Sequence, residues 1–238
     1  MAFVITSLAG LSTLLGSFLT FIKFKNKYRI INVALSFAAG VMITMSLIDL
    51  IPEGYNLLKN SNIALLWLLL SINIGIIISM LIDKNIHGPN LYRVGVINLI
   101  AIIIHNIPEG IITYIMCTHN LKLGITLAIA IALHNIPEGI SISLPIYYSG
   151  KGRGCALFYA FISGLSEIFG ALISMLFLNK IMNNYIIGIL FGIIAGIMLY
   201  ISIYELIPGA IKYKNKRVSI ISFIVGVIIM YISIILTK

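Results

Sequence analysis

The sequence predicts an all-α protein that crosses a membrane many times, and three observations support this. Hydrophobic residues make up 60% of the chain and charged residues only 10%, with a mean hydropathy of +1.10. Several uncharged runs reach the roughly 20 residues that a bilayer-spanning helix needs. The alternation of apolar and polar residues expected of a membrane β-barrel is absent. Because backbone groups in hydrocarbon must be paired, these runs should be helices.

Eight transmembrane helices can be delimited along the chain, which we interpret as a single domain spanning residues 1–238. Three uncharged runs, Met1–Ile22, Ile63–Ile82 and Val218–Thr237, predict the first, third and eighth helices. Charged or Gly/Asn-rich turns separate the remaining five. The predicted helices cover residues 2–22, 33–54, 63–82, 93–117, 123–148, 154–178, 185–210 and 218–237.

The basic residues predict the orientation, because short loops rich in Lys and Arg stay on the cytoplasmic side. Most of the 16 basic residues follow the first, third, fifth and seventh helices: Lys23, Lys25, Lys27, Arg29, Lys84, Arg93, Lys151, Arg153, Lys212, Lys214, Lys216 and Arg217. The opposite face keeps Lys59, Lys122, Lys180 and Lys238. Both termini are therefore expected outside. The same bias accounts for the net charge of +9, so no nucleic-acid partner is expected.

The acidic residues indicate a function inside the membrane. Only seven occur, and six fall inside predicted helices: Asp49, Glu53, Glu109, Glu138, Glu167 and Glu205. A charge at the centre of a membrane helix costs roughly 2.5–3.5 kcal/mol, so these carboxylates should face the interior of the bundle and meet cations or water. For Glu53 and Glu205, the alternative is a helix-end carboxylate that extends outward to the interface.

A six-residue motif, His-Asn-Ile-Pro-Glu-Gly, occurs at 105–110 and again at 134–139. In each copy the His and the Glu are four positions apart, which puts both on one helical face with the Asn beside them. Each proline leaves a backbone carbonyl of the preceding turn unpaired, which is tolerated where it lines a wet cavity. Imidazole, carboxylate and amide without thiolate suit zinc, ferrous iron, manganese or cobalt. The two motifs therefore predict a metal site.

The motif has fainter echoes in two other helices, at Asp49–Gly54 and Glu205–Gly209. In every copy a residue able to bind metal stands three positions before a proline. This repetition predicts a 3+2+3 inverted-repeat arrangement, in which the first three helices match the last three around a central pair. Glu167 adds a carboxylate in the sixth helix. Met42 offers a soft ligand, although a membrane methionine more often serves packing.

These motifs, together with Met45–Glu53 and Ser163–Glu167, resemble the Zrt/Irt-like (ZIP) metal transporters, and most closely their bacterial ZupT-like branch. The resemblance covers nearly the whole chain. It implies eight helices in the cell membrane, both termini outside, and uptake of divalent metal, zinc above all, into the cytoplasm. Iron, manganese, cobalt and cadmium are further implied substrates. It also implies a homodimer and no enzymatic activity, with metal as substrate rather than cofactor.

The resemblance further implies a two-metal site between the fourth and fifth helices. One metal position would use His105, Glu109, His134 and Glu138. The second would use Asn106, Asn135 and Glu167, with Glu109 and Glu138 bridging both. Met42, Asp49, Glu53 and Glu205 would line the pathway. Cys117, Cys155, His87 and His119 receive no role.

Two alternatives remain from the residues themselves. An intramembrane zinc hydrolase would use metal-bound water, but the HExxH motif is missing and Asn follows each motif histidine. A passive cation channel would instead arrange its carboxylates as a ring. Saturable uptake, substrate cleavage or unsaturated flux in liposomes would separate the three functions.

Overall fold

The computed structural model describes residues 1–87, 90–178, 183–213 and 215–237, and all regular secondary structure within them is helical. The α-helices are α1 Ala2–Leu11, α2 Thr13–Ser17, α3 Lys27–Met45, α4 Ile51–Leu58, α5 Ala64–Asn85, α6 Asn90–His119, α7 Leu121–Ile146, α8 Gly152–Ile173, α9 Asn184–Ile201, α10 Ile207–Ile211 and α11 Lys216–Thr237. Three lysines used in the charge argument, Lys180, Lys214 and Lys238, lie outside the described residues.

Several helices begin earlier than hydropathy predicts, because their first turns are polar. Side chains of Asn26, Asn120 and Asn183 accept backbone N–H groups at the starts of α3, α7 and α9. Such caps replace bonds that a helix start cannot make internally. The predicted second helix, 33–54, is in the structure a longer segment, Lys27–Leu58, in which the π-helical turn Ser46–Leu50 joins α3 to α4.

Seven helical stretches in the described residues are long and apolar enough to cross a membrane. One of them, Leu121–Phe177, contains both the predicted fifth and sixth helices. The backbone is interrupted between α7 and α8 at Gly150 and Gly152, whose φ angles are 95° and 81°. Glycine adopts such angles without the steric cost that other residues meet. The chain is thus a multi-pass helical membrane protein.

The central helices of the bundle are α6 and α7, which carry the two repeated motifs. They pack against each other and are flanked by α1, α2 and α8, while α3 also contacts α7 and α9 also contacts α6. The outer helices are α5, packed on α9, and α11, packed on α3. The exposed side chains of α5 and α11 are mostly apolar, as expected of lipid-facing helices. This arrangement shields the motifs from lipid.

Candidate metal centre

The two motifs meet where α6 lies against α7, and their charged groups pair across the interface. Nε2 of His105 lies 3.0 Å from Oε1 of Glu138. Nε2 of His134 lies 3.4 Å from Oε2 of Glu109. All four residues are buried, with at most 3% of their surface exposed. Each histidine therefore pairs with the glutamate of the other helix, not with the one four positions along its own.

The amides of the two motifs tie the central helices to their neighbours. Asn106 donates from Nδ2 to the carbonyl of Ser163 in α8, at 3.2 Å. Asn135 donates from Nδ2 to the carbonyl of Ala9 in α1, at 3.0 Å, and to Oε2 of Glu167, at 2.8 Å. These bonds hold the amide carbonyls in place and bring Glu167 to the edge of the site.

Nearly every candidate ligand keeps one buried atom without a hydrogen-bond partner. The unpartnered atoms at the site are Nδ1 of His105, Oδ1 of Asn106, Oε1 of Glu109, Oδ1 of Asn135, Oε2 of Glu138 and Oε1 of Glu167. An unsatisfied buried polar atom costs about 1–3 kcal/mol, and charged groups cost more. A cluster of six such atoms is therefore expensive unless a cation or water binds there.

The glycine that ends each motif allows a neighbouring backbone to approach very closely. A Cβ atom on Gly110 would collide with the carbonyl of Glu167 in α8, and one on Gly139 would collide with the carbonyl of Thr13 in α2. These contacts set how deep α8 and α2 sit against the site. Glu167 lies near enough to Glu109, Glu138 and His134 for their charges to interact.

Within the described residues, no three His, Cys, Asp or Glu side chains are arranged so that they already enclose a metal ion. The imidazoles and carboxylates instead hydrogen-bond to each other in pairs. A divalent ion would have to replace those hydrogen bonds with coordination bonds. The donor set suits this exchange, because imidazole and carboxylate are ordinary ligands of zinc.

Two of the predicted pathway residues, Asp49 and Glu53, line a cavity of about 280 Å³ at one end of the bundle. Glu53 is exposed and Asp49 is partly exposed. The wall of this cavity includes Ala130, whose carbonyl lies 3.1 Å from Nδ1 of His134. The cavity therefore borders the turn of α7 that immediately precedes His134.

The other pathway candidates lie in different surroundings. The sequence left open that the Glu205 carboxylate extends outward to the membrane interface. In the structure Glu205 is only 5% exposed, so it does not. It pairs with Arg93 of α6, at 3.3 Å, and the same guanidinium also pairs with Asp83. The hydroxyl of Tyr200 donates to Asp83 at 3.0 Å. Met42 is buried in the apolar cluster of α3 and α9.

Sequence reasoning missed two residues on α6. Arg93 was assigned only to the charge bias, although it joins Asp83 to Glu205. Asn98 attracted no attention as a single neutral residue, yet it is fully buried and bonded across to α7. Its only sequence signal is a spacing of seven from His105. The unassigned His87 and His119 are exposed, and Cys117 and Cys155 are free.

Comparisons with known proteins agree on one family. The family model described as ZIP Zinc transporter matches residues 88–234. A zinc transporter ZupT of Streptococcus mutans is 39% identical, with 99% of this chain and 97% of the relative aligned. Proteins of the same name from Clostridium perfringens and Campylobacter jejuni are each 36% identical, over 99% and 98% of this chain and 95% and 94% of their own lengths.

Proposed function

The chain belongs to the ZIP zinc transporter family, and from this premise we propose that it carries divalent transition-metal ions, zinc first among them, across a cell membrane into the cytoplasm. Members of this family are transporters and not enzymes, which excludes the hydrolase alternative. Iron, manganese, cobalt and cadmium are further proposed substrates, because the same oxygen and nitrogen ligands suit several divalent ions.

This proposal rests on two buried His–Glu pairs, His105–Glu138 and His134–Glu109, each of which joins α6 to α7; we call them the crossed pairs. Buried polar atoms without hydrogen-bond partners lie beside them. An ion entering the membrane loses most of its water, and these atoms can replace that water. Neutral imidazole and ionised carboxylate are the forms that bind metal, so protons compete with the ion. We propose one metal position at His105, Glu109, His134 and Glu138. A second would use Asn106, Asn135 and Glu167, with Glu109 and Glu138 bridging.

We propose that metal enters through the cavity lined by Asp49 and Glu53. Carboxylates at the mouth of a cleft raise the local concentration of cations. Ala130, in the wall of this cavity, lies one helical turn before His134, which belongs to the second His–Glu pair. Glu205, at the other end of the bundle, is the proposed exit residue, and Met42 remains a predicted pathway residue. The homodimer and the outward-facing termini also remain predictions.

Eight membrane crossings are part of the proposal. The stretch Leu121–Phe177 has 57 residues, and at about 1.5 Å per residue this is enough to cross a hydrocarbon core of about 30 Å twice. The positive φ angles of Gly150 and Gly152 interrupt it between α7 and α8. One crossing on each side of this break, added to the other six stretches, gives eight.

Repeated contacts around the central pair support the 3+2+3 inverted repeat. Three contacts of α6 with α8 have counterparts between α7 and α1 or α2, shifted by 29 positions on the central helix and by 154 on the outer one. The matched contacts are Asn106 to Ser163 and Asn135 to Ala9, Gly110 to Glu167 and Gly139 to Thr13, and Ile107 to Gly170 and Ile136 to Gly16. These matches support pairing the first predicted membrane helix, α1 and α2, with the sixth, α8.

The peripheral helices repeat in the same way. Close glycine contacts join α3 to α11 and α9 to α5, with constant shifts of 156 from α3 to α9 and 151 from α5 to α11. The matched contacts are Gly40 to Phe223 and Gly196 to Ile72, and Gly226 to Phe37 and Gly75 to Ile193. The π-helical turns Ser46–Leu50 and Ser202–Leu206 are also 156 apart. Inverted repeats of this kind underlie alternating access in many transporters.

Transport by the purified protein in liposomes tests the proposal. We expect zinc uptake that saturates with concentration, and competition by manganese, cobalt, ferrous iron or cadmium. Protein-free liposomes give the background. Flux that rises without saturation would favour the passive channel, and the absence of zinc flux above background would overturn the proposed function.

A further inference from the structure

Asn98 has the properties of a metal-binding residue, but it lies outside the proposed two-metal site. It is fully buried in α6, and its Oδ1 atom has no hydrogen-bond partner. This is the same condition as that of Oδ1 in Asn106 and Asn135. A buried amide oxygen without a partner is costly, so a cation or a water molecule is expected to bind it.

The position of Asn98 follows from helix geometry. It precedes His105 by seven residues, which is close to two full turns, so both side chains lie on nearly the same face of α6, about 10.5 Å apart along the axis. Nδ2 of Asn98 donates to the carbonyl of Ser141 in α7, at 3.1 Å. Ser141 is three residues beyond Glu138, and its hydroxyl donates to the carbonyl of Glu138. Asn98 therefore lies in the same α6–α7 interface as the crossed pairs.

Asn98 also lies on the side of the site away from the entry cavity. That cavity is lined by Ile112, Ile115 and Met116, which follow Glu109 along α6. Asn98 precedes the site along the same helix. Five residues further back stands Arg93, paired with Asp83 and Glu205. Along α6 the order is therefore entry cavity, metal site, Asn98 and the Arg93 ion pairs.

We propose that Oδ1 of Asn98 is a further ligand for the transported divalent cation, which it receives when the ion leaves the His105–Glu138 pair toward the Arg93 end of α6. This inference rests on the proposed transport function. A neutral amide oxygen suits such a step, because it replaces one water of a partly hydrated ion without adding a charge that would trap it. Its anchored Nδ2 holds the oxygen in the interface, so little rotamer freedom is lost when the ion arrives.

Two substitutions separate the ligand role from a structural one. Asn98→Leu removes both the oxygen and the N–H donor. Asn98→Asp keeps an oxygen ligand but cannot donate to Ser141. We expect Asn98→Leu to slow zinc uptake in liposomes at least tenfold, and Asn98→Asp to be at least fivefold faster than Asn98→Leu. The added charge should also change the ratio of manganese to zinc uptake at least threefold, because manganese prefers carboxylate oxygen.

The matched control is Asn73→Leu. Asn73 is exposed on α5 and donates only to the carbonyl of Leu69 in its own helix. The Asn73→Leu variant should take up zinc at a rate within twofold of that of the wild type. An Asn98→Leu rate within twofold of the wild type, or an Asn98→Asp rate as low as that of Asn98→Leu, would overturn the inference while leaving wild-type transport intact. Absence of wild-type zinc uptake would overturn the proposed function, and this inference with it.

Discussion

Nε2 of His105 and Oε1 of Glu138 lie 3.0 Å apart across the interface of α6 and α7, although 33 positions separate them in the chain. The second pair, His134 and Glu109, mirrors it at 3.4 Å. Together the pairs fasten the two central helices at two neighbouring points. The groups proposed to bind metal are therefore the same groups that join the two central helices.

We expect His105→Ala and Glu138→Ala each to lower zinc uptake at least tenfold, because each removes one ligand and leaves its partner buried without a hydrogen bond. The effects of substituting two residues that act as one pair do not add, so zinc uptake by the double variant should be hardly slower than by either single variant. Uptake by liposomes containing equal amounts of monodisperse protein measures this. His119→Ala, at the exposed end of α6, is the control and should keep wild-type uptake. Near-normal transport by either single variant would contradict the site assignment.

Gly110→Ala should destabilise the protein, because its Cβ would meet the carbonyl of Glu167 where α6 and α8 are in contact. Overpacking of this kind costs roughly 1–3 kcal/mol. We expect a lower melting temperature in detergent together with weaker zinc binding, since α8 carries Glu167. Gly154→Ala, at an exposed position of α8 where a Cβ meets nothing within 4 Å, is the matched control. Equal melting temperatures for the two variants would show that the close contact does not constrain the fold.

Arg93→Ala should lower stability, because it leaves Asp83 and the buried Glu205 without their cation. Removing one partner of a buried pair can cost about 3–5 kcal/mol, but the Arg93 side chain is 31% exposed, so solvent reduces the loss to about 1–3 kcal/mol. The melting temperature in detergent measures it. Adding Glu205→Gln should recover part of the loss, whereas Arg217→Ala, exposed at the start of α11, should change little. If the double variant melts at the same temperature as Arg93→Ala, loss of the Arg93–Glu205 pair is not the cause of the lower stability.

The sequence was sufficient to predict the helical class, and its two motifs marked residues that the structure brings together at the α6–α7 interface, because both signals are local patterns. That these residues bind metal stays a prediction. The repeated motif marks His105 and Glu109 on one face, and the helix period alone requires this. The crossed partners were not predictable, since the register between α6 and α7 depends on packing. Arg93 and Glu205 are 112 positions apart, and no local pattern joins them. Asn98 was missed because a neutral residue in a membrane helix looks unremarkable until its burial is known.

Acidification should weaken uptake, and the kinetic form of the loss distinguishes its cause. Protons and metal ions compete for the same imidazole nitrogens and carboxylate oxygens, so lowering the external pH from about 7.5 to about 5.5 should raise the KM for zinc several-fold. If competition at the site is the cause, saturating zinc should restore the maximal rate to within twofold. Initial uptake rates across a range of zinc concentrations at each pH measure both quantities, with the internal pH buffered so that the interior stays constant. A KM that does not change with pH would mean that the ion meets groups that do not bind protons in this range, which is incompatible with capture by His105 and His134.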